Sequence, residues 1–190
     1  MISNKDDYKR FLAEDEKHLF SSKQTIVQRI RNPIWKYERV LRKCEFLRNT
    51  TKHPYRNPLY LLNKMRLNRL GIKLGFSISE NCFAEGLSIA HYGCIIVNPN
   101  AKIGKNCRIH VGVNIGSAAD SDETPVIGDN VYIGPGAKIF GGIVIGNNTV
   151  IGANAVVNKS FPEGGVTIGG IPAKIISAKS SDRIMNRNSL

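Results

Sequence analysis

The sequence predicts a parallel β-helix with a short α-helical region in front of it, and three observations carry this prediction. An aliphatic residue recurs every six positions from Val97 to Val157, with Ser121 as the one interruption. The next residue is often glycine. A hexapeptide period matches no α-helix and is typical of stacked β-helical coils. Before residue 76 the apolar residues instead follow helical spacing.

Each hexad is expected to form one short strand and one turn, with its aliphatic side chain pointing inward. The small residue that follows lets the chain bend where a Cβ would crowd. Three hexads make a coil of roughly 18 residues, and stacked coils bury a column of Ile and Val. The alternative is a β-rich domain with chance spacing, but nine of the ten in-phase positions from 103 to 157 carry Ile or Val.

The chain is expected to divide into three parts. Residues 1–75 are predicted to be basic and α-helical, with Ser3 or Asn4 capping the first helix and the last helix ending near Gly71 or Gly75. We expect this region to cover the first coil, because a repeat stack needs capped ends. Residues 76–177 form the β-helix, which has a loop excursion at 117–124, and residues 178–190 are expected to be a flexible tail. The inward residues of the irregular first coil are predicted to be Ile78, Phe83, Leu87 and Ile89.

The positive charge is concentrated in the helical region. The chain has a formal net charge of +12, and residues 1–75 hold 18 Lys or Arg against 7 Asp or Glu. This excess favours a peripheral contact with an anionic membrane surface or a lipid-linked glycan. The alternative is a solvated helical face, since the positive residues are dispersed. We do not expect a nucleic-acid partner.

The cysteines and the N-terminus point to a cytoplasmic protein. Cys44, Cys82, Cys94 and Cys107 show no CxxC spacing, so we expect reduced thiols. The N-terminus lacks the apolar core of a secretory signal, and no apolar stretch approaches the roughly 20 residues that a membrane span needs.

Three segments carry a resemblance to a known family. They read "IAHYGCIIVNPNAKIGKNCRIHVGVNIG", "PVIGDNVYIGPGAKIFGGIVIGNNTVIGANAVV" and "GGIPAKII". The chain resembles the hexapeptide-repeat acyltransferases over about 76–177. It is most similar to serine acetyltransferases, including short members associated with capsular polysaccharide synthesis. The resemblance implies a left-handed β-helix, a homotrimer with active sites between subunits, acetyl-CoA as the donor and no metal.

His91 is the predicted catalytic residue. It matches the general base of the family, and a neutral imidazole can take the proton of an attacking hydroxyl at cytoplasmic pH. By its phase it stands where an inward aliphatic residue is expected. His110 follows Ile109 in a position usually held by glycine, and either lines the same cleft or covers surface. The other two histidines, His18 and His53, are expected at the surface.

The resemblance also implies the residues that bind acetyl-CoA. They are expected along a groove between two β-helices, where small residues allow close approach and a lysine pairs with phosphate. The alternative for each small residue is packing at a corner of the coil, and the alternative for each lysine is a solvated side chain. The implied residues are Ser117, Pro135, Gly136, Ala153 and Lys174, with Lys159 as a second candidate lysine.

The acceptor is predicted from departures from the serine acetyltransferase pattern. Ala90 stands where an aspartate usually precedes the catalytic histidine, Phe76 stands near a second expected aspartate, and Glu123–Pro125 replaces Arg-His-Pro. These changes favour a sugar hydroxyl of a surface polysaccharide or its precursor, with serine as the alternative acceptor. A backbone carbonyl or Glu85 would then orient His91.

Two other function classes share this fold. A γ-type carbonic anhydrase needs three imidazoles around zinc, and the repeat region holds only His91 and His110. A non-catalytic scaffold or nucleic-acid binder is the other alternative.

Overall fold

Residues 1–20 and 24–185 of the computed structural model are described here, and their first part is helical. Asn4 caps the first helix by accepting hydrogen bonds from two backbone N–H groups. The fourth helix ends at Gly75, which adopts a left-handed conformation with φ of 81°. Both ends agree with the sequence predictions. The helices are α1 (Lys5–Leu19), α2 (Ile26–Arg31), α3 (Pro33–Thr50) and α4 (Pro58–Leu74), with a 3₁₀ turn at Pro54–Arg56 and a short C-terminal α5 (Asp182–Met185).

The remainder is built from short strands that wind into a left-handed β-helix. The strands are β1 (Phe76–Ile78), β2 (Ser88–Ile89), β3 (Ile95–Val97), β4 (Lys102–Ile103), β5 (Arg108–Ile109), β6 (Asn114–Gly116), β7 (Val126–Ile127), β8 (Tyr132–Ile133), β9 (Lys138–Phe140), β10 (Val144–Ile145), β11 (Val150–Ile151), β12 (Val156–Val157), β13 (Thr167–Gly170) and β14 (Ala173–Ser177).

Three parallel faces follow from the strand pairing. The first face stacks β1, β3, β6, β9 and β12, the second stacks β4, β7 and β10, and the third stacks β2, β5, β8, β11 and β13. Aliphatic residues of the same phase pair directly, as Val97 does with Ile115 and Ile139 with Val157. These partners lie 18 residues apart, which is the predicted coil length.

The interruption at Ser121 is an insertion rather than a missing strand. Ile115 pairs with Ile139 and Ile103 with Ile127, which are 24 residues apart instead of 18. Residues 117–124 carry no helix or strand and add six residues to one corner. Because six is the repeat length, the aliphatic phase continues beyond the loop.

The column of aliphatic side chains forms the core, as the hexad pattern predicts. The predicted inward residues of the first coil, Ile78, Phe83, Leu87 and Ile89, are all buried. At the corner between the second and third faces, three asparagines with positive φ form a ladder. Asn106 donates to Asn130 at 2.8 Å, and Asn130 donates to Asn148 at 2.9 Å. Asparagine tolerates this conformation better than other side chains do.

A buried charged network joins the helices to the open top of the β-helix. Arg42 of α3 donates to Asp15 at 2.7 Å and to Glu45 at 2.9 Å. Its guanidinium also donates to the carbonyls of Phe83 and Ala84, at 2.9 and 2.7 Å. The first coil has no coil above it, so its free backbone groups need such partners.

Carboxylates satisfy the backbone N–H groups of the same open edge. Asp15 accepts from Gly86 and Leu87, both at 2.8 Å, and Glu38 accepts from Ile89 at 3.2 Å. Burial raises the pKa of Glu38 well above its ordinary value, and the nearby Asp15 adds to the rise. The helical region therefore covers the first coil as expected, and it does so with buried ionisable side chains.

The C-terminal part differs from the expected flexible tail over 178–185. Strand β14 turns back and pairs antiparallel with β13. Ser181 is fully buried, and its N–H donates to the carbonyl of Asn148 at 3.0 Å. The predicted tail also includes 186–190, which lie outside the described residues. Across the described chain, none of the helices combines the length and the hydrophobicity that crossing a bilayer requires.

Candidate functional site

His91 lies at the corner where the chain passes from the third face to the first. This corner recurs in the coils below at 110–113, 134–137 and 152–155, and we call the whole column, from 90–94 downward, the His91 edge. The His91 side chain is exposed. The end of α4 is fixed to the same corner, because the Gly93 N–H donates to the Leu74 carbonyl at 2.8 Å.

The prediction that His91 takes an inward aliphatic position is wrong. Ile89 pairs with Ile109 and Val97 with Ile115, so eight residues separate the two inward positions in the first coil, against six in the second. The corner is therefore two residues longer than those below it. The two extra residues have no partners in the strand pairing of the next coil, and His91 projects outward from the corner.

His110 lies one coil below His91 on the same edge, so the structure favours the cleft alternative for its position. Their ring centroids are 6.2 Å apart, and the His110 ring lies 4.9 Å from that of Tyr132. Its Nε2 is buried and has no hydrogen-bond partner among the described residues. Burial, followed by the charges of Arg108 and His91, lowers the pKa of His110 to about 4. His110 is therefore neutral at pH 7.

Three of the expected acetyl-CoA residues continue the His91 edge downward. The Asn154 N–H donates to the Pro135 carbonyl, and the Gly136 N–H donates to that of Val111, so these corners stack directly. Ala153 is exposed, three strand spacings or roughly 14 Å below the first coil. Gly136 also has a structural role, because its φ is 77° and a Cβ there would meet the Asn154 side chain.

Lys174 lies on a different part of the β-helix from Ser117 and Lys159. Lys174 is exposed and pairs in register with Gly169 of β13. Gly169 follows Ile168, which pairs with Ile151 directly above it, so Lys174 lies beneath the His91 edge. Ser117 begins the loop at the corner between the first and second faces. Lys159 lies at the same corner, between the first and second faces, and its Nζ is 5.5 Å from the Phe161 ring centroid. Within one chain, Ser117 and Lys159 therefore do not join the His91 edge.

Glu85 does not orient His91, contrary to one of the two sequence-based options. Its carboxylate accepts from Arg10 at 2.7 Å and lies 3.1 Å from the Lys105 ammonium. Its backbone carbonyl accepts from Asn106, at the corner between the second and third faces. Glu85 is thus committed to ion pairs at another edge.

Comparison with known proteins shows similarity to one family of transferases. The model of the bacterial transferase hexapeptide family, which has six repeats, matches residues 124–159. The chain is 38% identical over 90 residues to a serine acetyltransferase of Mycobacterium tuberculosis, which covers 46% of this chain and 39% of that protein. It is 36% identical over 130 residues to one from Staphylococcus epidermidis, covering 64% and 58%. Over these residues the chain is similar to hexapeptide-repeat transferases.

A solved serine acetyltransferase is similar in structure over most of the chain. The serine acetyltransferase of Brucella abortus strain S19 superposes with a TM-score of 0.72 at 26% identity, covering 93% of this chain and 71% of that chain. Soybean serine acetyltransferase has the same fold, with a TM-score of 0.74 at 23% identity. The chain spans about 40 to 60% of the curated relatives' length in these matches.

The structure also locates the positions that depart from the serine acetyltransferase pattern. Phe76 is buried, and its ring packs 5.0 Å from that of Tyr37, so it belongs to the core beneath the helices. Ala90 adjoins His91 and brings no carboxylate to it. Glu123 and Thr124 lie in the loop at the other corner.

The metal and thiol chemistry of the described residues is simple. They contain no cluster of three His, Cys, Asp or Glu side chains that could hold a metal ion. All four cysteines are free; Cys94 is exposed near His91, and Cys107 is buried in the core. Burial raises the pKa of Cys107 above its ordinary value.

Sequence reasoning missed two side chains around His110. Arg108 and Tyr132 precede the inward residues Ile109 and Ile133, so both point outward from the third face. Arg108 donates to the Ser88 hydroxyl at 3.0 Å, and burial lowers its pKa. The hexad period predicts that both side chains point outward. It predicts that they are neighbours only if the six inserted loop residues are subtracted from the 24 residues between them, which leaves one coil of 18.

Proposed function

We propose that the protein is an O-acetyltransferase that moves the acetyl group of acetyl-CoA to a hydroxyl group. The observation that carries the proposal is the exposed His91 at the top of an edge that continues through Pro135, Gly136 and Ala153. Similarity to the bacterial transferase hexapeptide family and to serine acetyltransferases supports it.

His91 acts as the general base in this proposal. Its neutral imidazole takes the proton of the acceptor hydroxyl as the oxygen attacks the thioester carbon. The tetrahedral intermediate then collapses, the C–S bond breaks, and the imidazolium returns the proton to the CoA sulfur. No acyl-enzyme is needed, and the acetyl group passes directly to the acceptor.

His110 is a second polar group in the proposed site. Because its pKa is lowered to about 4, it does not compete with His91 for the proton at neutral pH. A neutral imidazole has one donor and one acceptor nitrogen. We infer that the half-buried His110 imidazole helps to shape the site next to His91, and that the Tyr132 ring fixes the imidazole plane.

A homotrimer would complete the acetyl-CoA site. The His91 edge offers small residues for the pantetheine arm and Lys174 for the phosphates, whereas Ser117 lies at a different corner of the same chain. In a three-fold assembly, the loop corner of one subunit can face the His91 edge of the next. Acetyl-CoA is an intracellular metabolite, so we place the protein in the cytoplasm.

Serine is the acceptor that the comparisons support better, because the relatives and solved structures are serine acetyltransferases. A saccharide hydroxyl is the second candidate. It rests on Ala90, and on the buried Phe76, which stands near the position of a second aspartate in the serine acetyltransferase pattern. A zwitterionic amino acid needs charged partners that these residues do not supply.

The test is CoA-thiol release from acetyl-CoA with a panel of acceptors: serine, nucleotide sugars and capsule oligosaccharides. Mass spectrometry of the products identifies which hydroxyl gains the acetyl group. Rapid O-acetylserine formation supports the first acceptor, and exclusive glycan acetylation supports the second. Acetyl-CoA that stays intact with every acceptor, while the chain is folded, would contradict the activity itself.

A further inference from the structure

Helix α4 presents a large apolar surface to solvent on the side that faces away from the core. Its inner side is anchored by Tyr60, Leu67 and Leu74, which are buried. On the outer side Leu62 is 64% exposed, Met65 52% and Ile72 84%. Exposed apolar residues that cluster in this way mark an interaction surface.

Basic side chains run beside this apolar strip. Arg66, Arg69 and Lys73 are exposed and follow one another at helical spacings of three and four. They form no ion pair with the described residues. No Asp or Glu occurs between Glu45 and Glu80, although this stretch holds seven Lys or Arg. The outer side of α4 therefore carries an apolar strip beside a positive one. We call this surface the α4 face; its residues are Leu61, Leu62, Met65, Arg66, Arg69, Ile72 and Lys73.

We propose that the α4 face binds the surface of an anionic lipid bilayer. A helix that lies in the plane of a membrane buries its apolar strip among the acyl chains, while its Lys and Arg meet the phosphates. A second copy of the chain fits less well, because a symmetric contact would bring together two surfaces that both carry excess positive charge. The charge of this face thus selects a negatively charged partner with an apolar interior.

The position of α4 gives this contact a consequence for the site. The last carbonyl groups of the helix, Leu74 and its cap Gly75, accept from Gly93 and Ile95 at 2.8 and 2.9 Å. The α4 face therefore ends beside the His91 corner. A chain bound through α4 holds that corner close to the headgroups, where an acceptor carried on a lipid would be accessible. The membrane contact itself does not depend on the proposed reaction.

The experiment is co-sedimentation of the full chain with vesicles of phosphatidylcholine, with and without phosphatidylglycerol. One variant, M65E/I72E, destroys the apolar strip, and a second, R66Q/R69Q, neutralises part of the positive strip. The control K36Q/R39Q removes the same charge from exposed positions of α3. All substituted residues are exposed, so circular dichroism should report an unchanged fold.

We expect the wild type and the control to sediment with anionic vesicles and to be released by high salt. R66Q/R69Q should bind roughly 30-fold more weakly, since each basic residue near an anionic surface contributes about fivefold. M65E/I72E should stay in the supernatant. Equal binding by all four proteins, or no binding by the wild type, would overturn the proposal. Loss of oligomer mass in M65E/I72E by light scattering would overturn it too, by assigning the face to a second copy.

Discussion

Replacing Arg42 with alanine is the sharpest test of how the β-helix is capped. The side chain is fully buried and makes five hydrogen bonds, two to Asp15, one to Glu45 and two to the carbonyls of Phe83 and Ala84. Burial lowers the pKa of Arg42, but Glu45 and Asp15 outweigh that effect and raise it. Its removal leaves two buried carboxylates and two buried carbonyls without their cation.

The loss of one partner from a buried ion pair costs about 3–5 kcal/mol. Domains of this size unfold with about 5–15 kcal/mol, so R42A should lose a large part of its stability. With a urea slope near 2 kcal/mol per molar, the midpoint should fall by about 2 M. Urea unfolding followed by circular dichroism measures this shift.

Arg48 provides the matched control. It pairs with Glu80 at 3.3 Å, but its side chain is 39% exposed and Lys64 holds the same carboxylate at 2.8 Å. R48A should therefore cost at most about 1 kcal/mol. If R42A does not fold, R42K keeps the charge without the planar fork and should be intermediate. Equal midpoints for R42A, R48A and the wild type would refute the capping role of Arg42.

Three further predictions concern the core, the loop and pH. I133A should lose about 2–5 kcal/mol in urea unfolding, because Ile133 is fully buried, whereas V126A, 48% exposed, should stay within about 0.5 kcal/mol of wild type. Deleting 118–123 removes one hexad from a corner, so far-UV circular dichroism should keep the β-helix signal; its loss would contradict the insertion account. The raised pKa of Glu38 means that its contribution to stability is fully present below the unfolded value of about 4.5 and declines as pH rises toward the folded value. E38Q should therefore gain stability relative to wild type from pH 4 to pH 7, and a constant difference would contradict this.

The repeat region could be predicted in detail because its signal is local. Each coil places one aliphatic residue inward per hexad, so Ile109, Ile133 and Ile151 follow from spacing alone. The structure confirms their burial. The glycines directly after the inward residues, such as Gly134 after Ile133, follow from the same period.

The first coil and its cap could not be predicted in this way. The corner that holds His91 is two residues longer than its counterparts, so a count of six assigns the wrong direction to its side chain. Arg42 and Asp15 are 27 residues apart on different helices. In sequence they look like charges of a solvated helical face, and only tertiary packing buries them against the open strand edge.

His110 could be predicted only in part. Its position after Ile109 predicted an outward imidazole, and its place on the His91 edge follows from the pairing of β2 with β5. Its lowered pKa could not be predicted, because the cause is burial beside Tyr132 and Arg108, residues brought together by stacking.

The central claim is that His91 is the base of an acetyl transfer, and the most direct measurement is the rate of CoA-thiol release by H91N. H53N, altered at an exposed histidine of the helical region, is the control. General-base catalysis contributes about 10²–10⁴-fold. With the acceptor that supports wild-type turnover, H91N should be at least about 100-fold slower, while H53N matches wild type. An H91N rate equal to that of wild type would contradict the account.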